Sequence, residues 1–356
     1  MTAATPLTPE KPHLKLLYLR LTDSAPLIVA REMGLFARFG LEVQLQRETS
    51  WATLRDKLIG GVADAAAMLA PMPLTLKQAL PHCEERLLTG LILSCNGNAI
   101  TLSTELHARL GLSAADAGGA AGSALAAYLR RRTPGATPLK LATVYPFSSH
   151  TLQLRHWLRS SGIDPDRDLQ IQVLPPEQMV ERLKRGDIDG YCVGEPWNTI
   201  AAQRGLGTIV AACNALLPAM PEKVLAATES WHARNPRTHL ALRAALLQAC
   251  SWLADRGQRR DAATILAREE YLDLEPGSLA PSLNDQLHAG GDQPPSANPG
   301  WHLFAHTDSD CGRPSGDKAQ QLLGLCERFS PISAGAEKAF REDLYQQTLD
   351  FLQRRK

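Results

Sequence analysis

The residues best able to do chemistry fall in turns that follow short apolar segments. These turns are Asp23-Ser24-Ala25, Ser50-Trp51, Pro71-Met72-Pro73, Asn96-Gly97-Asn98, Ser148-Ser149-His150, Gly194-Glu195-Pro196-Trp197 and Pro221-Glu222-Lys223. Trp, His, Lys and Asn together suit a small anion: a lysine ammonium supplies a full charge, and imidazole and indole N–H groups supply directed donors. Trp51 and His150 also fall at predicted helix starts, where backbone N–H groups and the helix dipole favour negative charge. Each residue has a plainer reading. Trp51 can be core, His150 a capping residue, Lys223 a solvated charge, and Trp197 packing at the edge of a cleft. The sequence holds no GxSxG elbow, P-loop, HExxH or dinucleotide fingerprint, so no catalytic residue is assigned.

These turns need a frame, and the hydrophobic pattern supplies one. Residues 15–21 and 41–46 read as strands, with a helix over 27–39 closed by Gly40. Residues 51–59 read as a helix, 65–69 as a short apolar strand, and Pro71-Met72-Pro73 as the loop after it. A strand at 140–143, a helix at 149–161 and a strand at 169–174 follow. The 111–138 stretch is rich in Ala, Gly and Ser, with a helix expected at 124–132. From residue 240 the chain is mainly helical, broken by a Gly/Pro-rich loop at 289–300 that is the expected mobile segment. Alternating strands and helices favour an α/β fold with mostly parallel sheets, in which ligands bind beyond the carboxyl ends of strands.

One unit occurs twice. LRDKLIGGVADAAAMLAPMP (54–73) and MVERLKRGDIDGYCVGEPW (179–197) each read as helix, glycine turn, G-x-x-D step, buried strand and proline turn. Asp64 and Asp189 hold equivalent places, which implies two lobes of similar construction.

At 356 residues the chain has room for roughly two domains at about 150 residues each. Its 38 Lys+Arg against 37 Asp+Glu exclude a protein that grips nucleic acid or an acidic membrane by bulk charge. Hydrophobic residues at 44% supply material for packed cores, and no apolar run approaches the ~18 residues of a membrane span. The first residues lack a basic start, and the first apolar stretch is interrupted by Lys15 and Arg20. No secretory signal is therefore read, and a cytoplasmic protein is expected. Seven cysteines with no CxxC pair suggest neither a disulfide framework nor a metal site.

Taken together, eight pieces resemble the nitrate- and bicarbonate-binding branch of the ABC-transporter solute-binding proteins. They are APLIVAREMGLFARFGLEV (25–43), SWATLRDKLIGGVADAA (50–66), PMP (71–73), NGNAITLS (96–103), residues 145–157, GIDPDRD (162–168), GDIDGYCVGEPWN (186–198) and PEKVLAATESWHARNP (221–236), in the family's order. The resemblance spans about residues 13–255. It implies a periplasmic-binding-protein-like α/β fold of type II, with a ligand cleft between two lobes. One lobe comprises 13–101 plus 221–356 and the other 102–220, with 1–12 as an N-terminal extension.

By the same resemblance, nitrate is contacted by Trp51, His150 and Lys223, with Asn96, Gly97 and Asn98 in the pocket. Ser50, Pro71, Ser149, Glu195 and Trp197 line the cleft. Bicarbonate-type relatives place an acidic residue at the Lys223 position and use a metal, so Lys223 favours nitrate or nitrite with neither metal nor cofactor. A glutamine that some nitrate binders place ahead of the NGN segment is replaced at about Gly90. Combined with the expected location, the resemblance points to the NasS family of cytoplasmic nitrate/nitrite sensors. Those sensors sequester a NasT-like ANTAR-domain antiterminator and release it on binding ligand, so the RNA contact belongs to the partner. The alternatives are a solute-binding component of a nitrate, bicarbonate or sulfonate transporter and, more remotely, an enzyme of the thiamine-pyrimidine synthase type, whose Cys-rich iron motif is missing here.

Overall fold

The computed structural model describes residues 7–113, 119–133, 135–291 and 294–355. Its strands are β1 (His13–Leu19), β2 (Glu42–Glu48), β3 (Ala65–Leu69), β4 (Leu87–Asn96), β5 (Asn98–Ser103), β6 (Lys140–Thr143), β7 (Gln170–Val173), β8 (Gly190–Gly194), β9 (Gly207–Ala212), β10 (Pro221–Thr228), β11 (Gln286–Leu287), β12 (Ser296–Ala297) and β13 (His302–Phe304). One sheet has the order β13-β4-β10-β3-β1-β2 and a second the order β7-β6-β8-β5-β9. Both are mixed. β1 pairs parallel with β2 and β3, whereas β10 runs antiparallel to β3 and β4.

The two-residue period of a strand explains why the first sheet is covered on both faces. Along β1, Leu14, Leu16 and Tyr18 enter one apolar core, while Leu17 and Leu19 enter another. The split repeats on β3, with Ala65 and Ala67 on one side and Ala66 and Met68 on the other. The first core packs against the long helix Pro236–Ala254. The second also takes Tyr145, Leu152, Tyr191, Val193 and Trp197 from the region of the other sheet. The two lobes are therefore closed on each other over an apolar seam.

Asp64 and Asp189 do the same job, as the repeat implies. The backbone N–H of Lys15 donates to Asp64 Oδ2 at 2.9 Å, and that of Lys140 donates to Asp189 Oδ2 at 2.7 Å. Each aspartate returns its own N–H to the carbonyl of the same lysine. In each lobe the carboxylate ties down the start of the neighbouring strand.

Several boundaries differ from the sequence reading. The helix expected over 27–39 divides into Ala25–Glu32 and Leu35–Arg38, because Gly34 adopts φ +65° and ends the first piece. Pro71-Met72-Pro73 is not a loop but the helical turn Pro71–Leu74, with proline at a first position that needs no N–H. The expected helix at 124–132 begins earlier, at Gly119; residues 114–118 and 134 of that stretch lie outside the described residues.

The chain passes between sheets at Gly97, not near 102, since β4 ends at Asn96 and β5 begins at Asn98. Within the N-terminal extension, residues 10–12 are bonded to the fold: Glu10 accepts from Thr238 N at 2.7 Å, and Pro12 O accepts from Glu42 N at 2.8 Å. The 289–300 loop, whose residues 292–293 lie outside the described residues, is anchored at both ends. Ala289 O accepts from Ile209 N, Gly300 O accepts from Asn96 Nδ2, and the adjoining Trp301 is fully buried. Among the described residues, no helix is long and apolar enough to cross a membrane.

Candidate anion-binding site

Four elements converge where the lobes meet. Trp51 is the first residue of the helix Trp51–Ile59, whose cap Ser50 accepts from Thr53 N at 3.1 Å. His150 is the second residue of the helix Ser149–Ser160, capped by Ser148, which accepts from Thr151 N at 3.0 Å. β10 brings Glu222 and Lys223, and β5 brings Asn98. All five side chains are buried, at 1% exposure or less.

Lys223 is the centre of this cluster. Its Nζ lies 2.7 Å from Asp23 Oδ2, 2.9 Å from Glu222 Oε1, and 5.1 Å from the centroid of the Trp51 ring. Glu222 also accepts from Asn98 Nδ2 at 2.7 Å and has His150 Nε2 at 3.6 Å. Asn98 Nδ2 reaches Gln153 Oε1 at 2.8 Å. The indole N–H of Trp51, both ring nitrogens of His150 and Oδ1 of Asn98 are buried without a hydrogen-bond partner. Buried polar groups are usually satisfied, so orphaned atoms grouped around an ammonium mark a place built for a polar guest.

The electrostatics follow from burial and from the shared ammonium. Burial works against a charged Lys223, but Asp23 and Glu222 outweigh it and hold its pKa above the ordinary lysine value. Burial also opposes ionised Glu222, yet Lys223 and His150 keep its pKa below the usual carboxylate value. Asp23 is pushed up to about 6 by burial, with Lys223 pulling the other way. His150 is pushed down to about 4, chiefly by burial, and is neutral at pH 7. Lys223 is therefore not the free positive charge that the sequence reading expects, nor does His150 add one.

The structure gathers Trp51, His150, Asn98 and Lys223 in one place, with Ser149 beside Glu222. It separates Asn96 and Gly97 from that cluster. Asn96 Nδ2 donates to Gly300 O at 2.8 Å, and Gly97 packs on His302, whose Cε1 would lie 2.5 Å from an added Cβ. These two residues make the crossover between sheets, with φ of +64° and +95°. Ser50 caps its helix, and Pro71 opens a helical turn beside Ala70, whose N–H donates to Glu222 O at 2.9 Å. Glu195 and Trp197 lie on the seam. Glu195 O accepts from Thr22 N at 2.8 Å, and Trp197 Nε1 donates to Arg20 O at 3.0 Å. Gly90 has no part in the cluster, since it faces Leu344 and Arg243.

Asp23, Glu222 and Gln153 are absent from the residues assigned by resemblance. Gln153 follows His150 by three positions, which places both on one helix face. Glu222 and Lys223 are neighbours on a strand and ought to face opposite ways. Register irregularities flank Lys223 in the β10–β4 pairing and let both side chains reach one spot.

Comparison with known proteins places this geometry. The profile of the NMT1-like family matches residues 7–267, well over half the chain. The chain belongs to the NMT1-like family. Among curated relatives it is 40% identical over 293 residues to the nitrate import ATP-binding protein NrtC of Synechocystis, covering 80% of this chain and 41% of that protein. It is 33% identical over 291 residues to the nitrate/nitrite binding protein NrtA of Synechococcus elongatus, covering 79% of this chain and 64% of that one. The bicarbonate-binding protein CmpA of the same organism is 30% identical over 298 residues, covering 82% of this chain and 65% of CmpA. The chain thus spans about two-fifths of the ATP-binding relatives and just under two-thirds of the binding proteins.

Among solved structures, the periplasmic nitrate-binding protein NrtA of Synechocystis PCC 6803 superposes with a TM-score of 0.88 at 26% identity, covering 97% of this chain and 90% of NrtA. The alkanesulfonate-binding protein SsuA of Xanthomonas axonopodis, at 16% identity and a TM-score of 0.65 over 95% of this chain and 98% of SsuA, shares the fold. The NMT1-like chain described here has the α/β periplasmic-binding-protein fold and is related to the nitrate- and bicarbonate-binding components of ABC transporters.

Proposed function

We propose that this chain is a cytoplasmic nitrate/nitrite sensor of the NasS type. It binds its anion at Trp51, His150, Asn98 and Lys223 and releases it unchanged, with no metal or cofactor. In the ligand-free state it holds a NasT-like ANTAR-domain antiterminator; anion binding stabilises the closed lobes and frees the partner. The observation that carries the anion reading is the buried Trp51 indole N–H and His150 imidazole, both without partners, beside the Lys223 ammonium. The likeness to proteins named for nitrate supports the choice of anion. A ligand moves such an equilibrium only by its differential affinity for the two states. The chain is nearly neutral, so RNA binding stays with the partner. Co-purification with the antiterminator, abolished by nitrate or nitrite, is the expected result; a complex indifferent to both anions contradicts the sensor reading.

The second reading is a solute-binding component of a nitrate or bicarbonate uptake system, favoured by the names of NrtA and CmpA. Cell fractionation separates the two: recovery in the cytoplasm supports the sensor, and recovery outside the inner membrane supports the transporter component.

A further inference from the structure

We propose that the site takes up its anion together with one proton, and that Asp23 is the residue that accepts the proton. This rests on the reading of the cluster as an anion site. Lys223 Nζ already has two carboxylates within ion-pair distance, Asp23 at 2.7 Å and Glu222 at 2.9 Å. All three side chains are at most 1% exposed, so solvent screens them weakly. An anion that takes Lys223 as its counter-charge adds a third negative charge beside one ammonium. A neutral His150 does not offset it.

The surroundings decide where a proton goes. Glu222 is committed to charge. It accepts from Asn98 Nδ2 and Lys223 Nζ, and it faces His150 Nε2 at 3.6 Å. Glu195 reaches the Asp23 loop only through its carbonyl, which accepts from Thr22 N, while its carboxylate accepts from Thr199 N at 3.2 Å. Asp23 Oδ2 lies 2.7 Å from Lys223 Nζ, its Oδ1 is buried without a hydrogen-bond partner, and the charges acting on it are Lys223 and Glu222 on β10. Its pKa of about 6 lies on the ionised side of neutrality, and unlike Glu195 its carboxylate touches Lys223. A like charge arriving within a few ångströms strongly raises a carboxyl pKa, and a rise of about 2–3 holds Asp23 mostly protonated at pH 7.5. Its O–H then donates to the anion. Nitrate carries acceptor oxygens and no proton, so it needs that donor. Bicarbonate brings its own O–H and can give it to an ionised Asp23.

Calorimetry of nitrate binding to the full chain at pH 7.5, in buffers of different ionisation enthalpy, reads the proton directly. The expected result is close to one proton taken up per nitrate, with affinity falling up to tenfold per pH unit between pH 7.5 and 8.5. Asp23→Asn is expected to bind nitrate with no proton uptake and a flat profile over that range. Nitrate binding by the unmodified chain without proton uptake overturns the coupling and leaves the anion site intact. Uptake that persists in Asp23→Asn overturns the assignment to Asp23. No nitrate binding at all overturns the underlying reading instead. The stoichiometry of the unmodified chain decides the coupling whether or not the variant folds.

Discussion

Replacing Lys223 by Gln would leave Asp23 and Glu222 buried without the ammonium that lies 2.7 and 2.9 Å from them. Removing one partner of a buried ion network costs about 3–5 kcal/mol, because the remaining charges stay desolvated. Lys223→Gln is therefore expected to destabilise the fold by that amount in denaturant unfolding as well as to abolish anion binding; a variant of unchanged stability contradicts the network. His150→Ala removes one donor to a charged guest and is expected to weaken nitrate binding by on the order of 1–3 kcal/mol. Glu195 gives a pH prediction of definite sign. Burial raises its pKa from 4.5 to about 7, opposed by hydrogen bonds from Thr199 and Asn198, so the folded chain holds this proton more tightly than the unfolded one. Its contribution to stability is full below about pH 4.5 and is lost as pH rises through 7. The loss approaches roughly 3 kcal/mol at pH 8. Glu195→Gln is expected to raise stability at pH 8 and leave it unchanged at pH 4; equal effects at both would remove the titration of Glu195 from the account.

At the scale of elements, the two lobes reuse one device, and its two copies differ in load. Asp189 receives Lys140 N, whereas Asp64 receives Lys15 N, Trp231 Nε1 at 2.8 Å and Lys11 Nζ at 2.6 Å. Asp64→Ala is expected to cost more than Asp189→Ala, each by at least the ~1 kcal/mol of a lost hydrogen bond; the reverse order in thermal unfolding would contradict the assigned contacts. This device was legible in the sequence because it is local: a helix, a glycine turn and a strand fix the aspartate's place. So were the helix starts carrying Trp51 and His150, which Ser50 and Ser148 cap. The Lys223 network was not legible, because it depends on a register irregularity in β10 and on Asp23, two hundred residues away in sequence. The role of Asn96-Gly97 as the crossover between sheets was not legible for a similar reason. Its packing partner His302 comes from a distant strand that only the fold brings near.

Over the whole molecule, the closed arrangement is held by contacts that an opening cleft must break. Arg20 stacks on Trp197 at 5.7 Å and lies 3.8 Å from Glu177, and Arg55 Nη1 donates to Tyr145 Oη at 2.8 Å. Beside the Arg20 contacts, a cavity of about 820 Å³ is lined by Arg20, Glu177, Trp197, Arg204 and Asp273. The Lys223 cluster is buried, so the proposed anion site requires the lobes to part for entry. Trp197→Phe removes the hydrogen bond to Arg20 O and is expected to weaken the closed state, lowering apparent nitrate affinity several-fold. The central claim, that the buried cluster around Lys223 binds nitrate or nitrite, is tested most directly by titrating the purified chain with nitrate, nitrite, bicarbonate and taurine in a calorimeter. The account predicts saturable one-site binding of nitrate or nitrite and none of taurine. Saturable binding of bicarbonate or taurine, with no heat from nitrate or nitrite, would contradict it.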